Sequence, residues 1–299
     1  MIFGLALNVG EGLDEAKEIS ILIARSKIKK IWVSFSSKGR DPFEMASAVA
    51  ESVEGLKIGI GALSPYIYSV REIIKRLTEL TDLYGERFDL CIGLGDKTLL
   101  KELGVKITHT DFLNILKSTC RMLEEELSRL GIKLWLAAQG STTLSLSTCF
   151  DYVLLNHSNL DFLRWALDKI GAVKQHISVG ISAPAYIYKN IEEDMLNRAK
   201  KAALKILLGM SKRLARDLNL EVEYERTLER LKDVQEGEEA KIVSENLVRV
   251  LTITMHVGAL PNYIHTLREL GITEVVFGYP LSITIYQIKM LNASLEQMP

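Results

Sequence analysis

The sequence predicts an α/β fold: an eight-stranded (β/α)8 TIM barrel with a helical insertion after its seventh strand. Three observations carry that prediction. Short apolar runs alternate along the chain with amphipathic stretches. The runs show little period-2 alternation, as expected of parallel strands covered on both faces. Eight such repeats in 299 residues fit a barrel better than an open doubly wound sheet.

The elements follow in order. IFGLAL (2–7) reads as a buried strand, and 12–25 as a helix with Ile19, Leu22 and Ile23 at helical spacing. KIWVSF (30–35) is a second strand. A helix over 42–53 opens at Pro42 behind Asp41 as cap. LKIGIGAL (56–63) is strand three, followed by a helix over 69–84. FDLCIGL (88–94) is strand four, followed by a short helix over 96–104, which Asp96 is placed to cap and Gly104 to end, and by a longer one over 111–130. IKLWLAA (132–138) is strand five with a short helix over 141–148. DYVLLN (151–156) is strand six with a helix over 159–171, and HISVGIS (176–182) is strand seven. Residues 186–256 then read as mostly helical, with one strand-like patch at LEVEY (220–224). A helix over 260–270 precedes strand eight, TEVVFGY (273–279), and a last helix covers 282–296. With six prolines there is little room for a linker, so 1–299 reads as one domain carrying 186–256 as an insertion.

Composition narrows the function classes. Lys and Arg number 37 against 38 Asp and Glu, a net charge of −1, which gives no whole-chain case for nucleic acid or an anionic membrane. With 47% hydrophobic and 25% charged residues, the chain is not of the disordered class. No run reaches the roughly 18 apolar residues of a membrane span. The start, MIFGLALNVGEGLDEAKE, turns acidic by Glu11 and lacks the pattern of a signal peptide. Cys91, Cys120 and Cys149 are odd in number and widely spaced, which fits neither a disulfide framework nor a zinc site. A cytoplasmic setting is the expectation.

In such a barrel the chemistry sits where strands end and βα loops begin. Those ends carry Asn8; Ser34 to Ser37; Gly61, Ala62, Ser64, Pro65 and Tyr66; Gly93, Gly95, Asp96 and Lys97; Gln139, Gly140 and Ser141; Asn156, His157 and Asn159; Ser182 and Pro184; and Gly278 to Ser282. They hold no carboxylate pair, which argues against a glycosidase. No cluster of His and acidic ligands is legible, so no metal site is expected. G-x-S-x-G and P-loop motifs are absent as well. What remains is a neutral rim of hydrogen-bonding and small residues, suited to an organic cofactor that carries the chemistry while the protein orients it.

Four segments, KIGIGALSPYIYS (57–69), LCIGLGDKTLLKELG (90–104), LWLAAQGSTTL (134–144) and LLNHSN (154–159), resemble the bacterial-luciferase-like superfamily, and within it the coenzyme F420-dependent 5,10-methylenetetrahydromethanopterin reductases. VGALPNYIHTLRELGITEVVFGYPLS (257–282) is a weaker match. The resemblance implies an F420-dependent oxidoreductase passing a hydride to or from a pterin-like or other small organic substrate, as a homodimer. It implies a non-proline cis peptide at Gly61-Ala62, behind the ring. It puts Gly95, Asp96 and Lys97 near the ring, Gln139, Gly140 and Ser141 at the cofactor, and Asn156 on the polar edge of the pocket; Ser64 belongs to the same seat. Asp96 is then the proton-handling candidate. Two departures stand out. The reductases carry a carboxylate in strand one where this chain has Ala6, and an Asp-His pair where it has Phe35-Ser36. An FMN-dependent monooxygenase of the same fold, and a cofactor-binding paralogue without turnover, are therefore the alternatives.

Plainer readings stand beside these. Asp96 can serve as a helix cap, and Lys97 as a solvated first-turn residue rather than a phosphate ligand. Ser64-Pro65-Tyr66 can be a simple turn. The G-L-G at 93–95 lacks dinucleotide spacing. His157 reads as a ligand contact or a partly exposed loop residue, His256 as structural, and Cys91 as a small core residue. The cations between Arg198 and Arg216 read as a solvated helix face, or as attraction for an anionic cofactor tail.

Overall fold

Nine parallel strands form the sheet: β1 Ile2–Asn8, β2 Ile28–Ser34, β3 Lys57–Leu63, β4 Phe88–Ile92, β5 Lys133–Ala138, β6 Tyr152–Leu155, β7 Ser178–Tyr188, β8 Ile253–His256 and β9 Ile272–Gly278. The computed structural model describes residues 1–8, 12–34, 41–95, 100, 104–105, 109–174, 176–235 and 237–298. The expected short helix over 96–104, Asp96, Lys97, Phe35 and Ser36 lie almost wholly or wholly outside the described residues. Strand order is β6-β5-β4-β3-β2-β1-β9-β7-β8, and β6 also pairs with β7. That second pairing closes β1 to β7 and β9 into an eight-stranded barrel, as the sequence predicted. β8 stands outside the ring.

The strands carry two different cores because successive side chains point to opposite faces. The outward face is aliphatic. Leu5, Leu7, Ile31, Val33, Ile58, Ile60, Leu90, Ile92, Leu136, Val153, Ile181, Val275 and Phe277 are buried there among helix residues such as Ile19, Val49, Ile73, Leu116 and Leu163. The inward face holds a separate cluster of Trp32, Cys91, Trp135 and Val276, with Ala6, Ala62 and Ala137 packed on it. Burial on both faces explains why the runs read as continuous apolar stretches.

Local signals set the helix starts. Asp41 accepts from the Phe43 amide at 2.8 Å and opens Pro42–Ser52, Ser69 caps Val70–Tyr84, and Asn159 accepts from the Asp161 and Phe162 amides to cap Leu160–Gly171.

The segment between β7 and β9 departs from the sequence reading twice. LEVEY is not a strand: Glu221–Leu231 is a helix. The alternation of Leu220, Val222 and Tyr224 suggested a sheet face, but Val222 is 79% exposed, so no sheet waits for it. Acidic and basic side chains at helical spacing decide the local structure instead. Conversely, Ile253–His256, read as helical, is β8. It pairs in parallel with Ala185 to Tyr188, the far end of a β7 longer than the sequence indicated. No helix among the described residues is long and apolar enough to cross a membrane.

Candidate functional site

The inward-facing residues change character along the barrel axis. At the N-terminal level Lys30, Asp89 and Glu274 converge. The Lys30 ammonium is 2.5 Å from Asp89 Oδ2 and 3.0 Å from Glu274 Oε2, and all three residues are buried. Above them lie Trp32, Cys91, Trp135 and Val276. Glycine makes room for this aromatic layer: a Cβ on Gly59 would stand 2.2 Å from the Trp32 ring. Burial holds the Cys91 thiol far above its ordinary pKa, so it is a neutral packing group, as read from the sequence.

At the C-terminal level the side chains become small and reach solvent. Ala6, Ser34, Ala62, Ala137 and Ser182 are half-buried, although they point inward like the fully buried residues below them. Gly93 lies between Ala62 and Ala137, where a Cβ would come within 2.9 Å of Ala137 Cβ and 3.5 Å of Ala62 Cβ. Among the described residues, the barrel mouth therefore carries small, neutral side chains over an aromatic floor, on the face where barrels of this class carry their chemistry.

The sequence-predicted residues that are described, Gly61, Ala62, Ser64, Gly95, Gln139, Gly140, Ser141 and Asn156, lie on or just past the ends of β3 to β6; Asp96 and Lys97 lie outside the described residues. The Gly61-Ala62 peptide is cis, at the position named from the resemblance. Register between β3 and β4 shifts between Ile60 and Leu63, so β3 bulges at this point. Gly61 has φ +145°, and a Cβ there would stand 2.3 Å from the Cys91 carbonyl oxygen. Gly93 N–H donates to Leu63 O at 3.0 Å, tying the ends of β3 and β4. Ser64 is buried. Its hydroxyl accepts from Tyr66 N–H at 3.3 Å and its carbonyl accepts from Ile67 and Tyr68, so the turn reading of Ser64-Pro65-Tyr66 holds. Gly95, at φ +80°, passes close over Ser64. At the end of β5 the Gln139 and Gly140 amides both donate to Thr143 Oγ1, and Ser141 opens the short helix Ser141–Leu144. Asn156 N–H donates to Ala138 O at 3.1 Å, tying β5 to β6, and its side chain is exposed.

Several residues escaped the sequence reading. His157 is not the partly exposed loop residue of the plainer reading: it is fully buried, its ring 3.7 Å from that of Phe162. Burial pushes its pKa down to about 3, and neither ring nitrogen has a hydrogen-bond partner among the described residues. Next to it, between Ser158 to Asp161 and the stretch from Arg249 to Met255, lies a cleft of about 340 Å³ that also touches Arg164 and Tyr263. The Ser158 hydroxyl is buried without a hydrogen-bond partner, while the Tyr263 hydroxyl donates to Ser158 O at 2.8 Å. The Lys30, Asp89 and Glu274 cluster was also missed. Its signal was available: Asp89 and Glu274 are each the one charge in an apolar strand, and Lys30 follows Lys29 at the start of β2. His256 is structural as expected, accepting from Gly258 N–H at 3.1 Å. Most cations from Arg198 to Arg216 are paired with acids, Arg198 with Asp194, Lys201 with Glu239, Lys212 with Glu225 and Arg216 with Glu221.

Comparison with known proteins agrees with this geometry. Residues 3–129 match the family model described as luciferase-like monooxygenase. It is that family which the first part of the chain resembles. Solved structures extend the likeness to the whole fold. The coenzyme F420-dependent tetrahydromethanopterin reductase from Methanopyrus kandleri is 18% identical, with a TM-score of 0.81 over 96% of this chain and 97% of that one. The oxygenating constituent of 3,6-diketocamphane monooxygenase from Pseudomonas putida, solved with FMN, is 12% identical, with a TM-score of 0.66 over 100% and 99%. A monooxygenase from Streptomyces bottropensis is 14% identical, with a TM-score of 0.63 over 99% and 98%. At these identities the likeness is one of fold. The luciferase-like resemblance read from the motifs therefore stands, with reductases and monooxygenases on the same frame.

Proposed function

We propose that the chain is an oxidoreductase that binds the ring of a deazaflavin or flavin cofactor at the barrel mouth, with coenzyme F420 as the first candidate and FMN as the alternative. One observation carries this reading: a neutral seat of small residues, Ala6, Ala62, Gly93 and Ala137, over a buried aromatic floor. A flat ring system needs close approach of backbone and small side chains. The residues present fit such a group, since side chains larger than those at 62, 93 and 137 would fill the space it requires.

When bound, the cofactor supplies hydride transfer; the protein supplies binding, orientation and exclusion of water. Ala62 and Gly93 would fix the depth of the ring. Gly95, the Gln139-Gly140-Ser141 turn and Asn156 would meet its polar edge. The cleft beside Ser158 is where the anionic remainder of the molecule would lie, with Arg249 as its cation, since Arg164 on the same wall is paired with Asp161. Asp96 and Lys97 are proposed at the ring from the family motif alone, Asp96 as the group that holds or moves a proton. The substrate would be a small organic molecule able to exchange a hydride. With Ala6 in place of the family's carboxylate, the chain brings no acid to the floor of the mouth from strand one.

Titration with oxidised F420 and with FMN, followed by absorbance and fluorescence, tests the reading. Saturable binding of F420 alone, lost in Gly93→Val, is the expected result. Preference for FMN with oxygen uptake on reduction would favour the monooxygenase. Binding of neither would remove the proposal.

A further inference from the structure

The inner core holds more chemistry than a packed floor requires. Trp32 and Trp135 meet edge to face with ring centroids 5.7 Å apart, and Trp135 lies 5.0 Å from Tyr152. Ala6, Ala62 and Ala137 rest on this cluster from the mouth side. Tyr152, at the start of β6, is half-buried and reaches solvent near the opposite end. A chain of touching aromatic rings thus runs from the seat toward the N-terminal face.

Each indole in the chain donates to a buried carboxylate. Trp32 Nε1 donates to Glu274, and Trp135 Nε1 to Asp89 Oδ2 at 3.3 Å. The Lys30 ammonium lies 4.2 Å from the Trp32 ring and 4.8 Å from the Trp135 ring. Lys30 offsets only one of the two carboxylates, so the cluster keeps a net negative charge beside both rings. Loss of an electron makes an indole Nε1–H strongly acidic, and the carboxylates stand at those protons. The two oxygens of Glu274 accept from different donors, Trp32 and Lys30, which is the arrangement of an ionised carboxylate able to take a proton. Burial raises its affinity for that proton.

We propose that Trp32, Trp135 and Tyr152 form a proton-coupled path that carries an oxidising equivalent away from the cofactor seat to the N-terminal face of the barrel. The inference rests on the proposed function for its oxidant, a photo-excited oxidised ring at the seat. That oxidant takes one electron from Trp32 while the Nε1 proton passes to Glu274. Trp32 is restored by an electron from Trp135 and by the returning proton, and the Trp135 proton passes to Asp89. Trp135 is restored in the same way by Tyr152, whose phenolic proton is lost to water. A thiol reductant in solution then returns one electron and one proton to Tyr152. Each step moves one electron and leaves charge balanced.

The path can be tested without any cofactor. The chain has three tryptophans, so Trp165→Phe leaves only the two in the path. An ultraviolet flash with a soluble electron scavenger would create tryptophanyl radicals, followed by transient absorption. The expected result is conversion to a tyrosyl radical. That signal should be lost in Trp165→Phe/Tyr152→Phe and delayed in Trp165→Phe/Glu274→Gln, which keeps an acceptor oxygen but takes up no proton. A tyrosyl yield that survives Tyr152→Phe overturns the path, whatever the protein binds. A second arm excites bound FMN or F420 with visible light and looks for a radical that Trp32→Phe abolishes. Failure of this arm alone, after the first succeeds, overturns the link to the seat and counts against the proposed function. Circular dichroism of each variant checks that these substitutions leave the barrel folded.

Discussion

At the scale of single residues, the barrel interior sets up unequal costs. Lys30 neutralises part of two buried carboxylates, so removing it leaves charge without compensation in a low-dielectric site. Lys30→Met should lower unfolding free energy by roughly 3–5 kcal/mol. Lys17→Met, which breaks the exposed pair with Glu51, should leave it almost unchanged. Urea denaturation of both variants measures the contrast. His157 gives a pH signature. Its pKa falls from 6.5 to about 3 on folding, so the unfolded chain takes up the proton first as pH drops. The stability it contributes is complete above pH 6.5 and is lost at about 1.4 kcal/mol per pH unit below that, until the folded-state value is reached. Between pH 6.5 and 5, before the carboxylates titrate, His157→Leu should show a flatter dependence of urea midpoint on pH than the wild-type chain.

At the scale of elements, the end of β4 shows how backbone shape makes a binding surface. Gly93 sits where any side chain would enter the seat. Gly93→Val should abolish cofactor binding and also lower the melting temperature, because its Cβ would stand 2.9 Å from Ala137 Cβ and the strand ends must shift to admit it; the circular dichroism spectrum should still be that of a folded barrel. The sequence made the seat partly legible. Small residues at the ends of β3 to β5 could be read directly, since strand ends are where barrel function lies. What could not be read was depth. KIWVSF and FDLCIGL show Lys30, Trp32 and Asp89 in apolar runs, but only the register of β2, β4 and β9 reveals that Lys30 meets Asp89 and Glu274 in the middle of the ring. Contacts 59 and 244 residues apart leave no trace in local periodicity. LEVEY failed for the complementary reason. Alternation over five residues is weak evidence when a neighbouring strand to receive it is not visible in sequence, and Val222 in fact faces solvent. His157 was misjudged because loop position suggests exposure, whereas Phe162 one helical turn ahead packs over it.

At the scale of the whole molecule, the ring of strands and the helix Glu221–Leu231 are held by different amounts of buried surface. Every barrel strand has two strand neighbours, with aliphatic packing outside and the aromatic layer within. In the helix Glu221–Leu231, by contrast, Thr227 alone is buried. Hydrogen exchange should therefore protect β1 to β7 and β9 up to the global unfolding free energy, while the amides of 221–231 exchange through local opening at much lower cost. Uniform protection across both would contradict this division. β7 is where the ring meets the segment that leads to β9. Its residues through Pro184 pair with β6 and β9 and complete the ring, and its last four, Ala185 to Tyr188, pair only with β8. One strand thus serves as both hoop and rail. The excursion from Lys189 to Thr252 can lengthen, shorten or be exchanged for another without reopening the barrel, because the hydrogen bonds that close the circle end before the rail begins. A new substrate preference could then be acquired by replacing the cassette on the rail, with the seat beneath it left as it was.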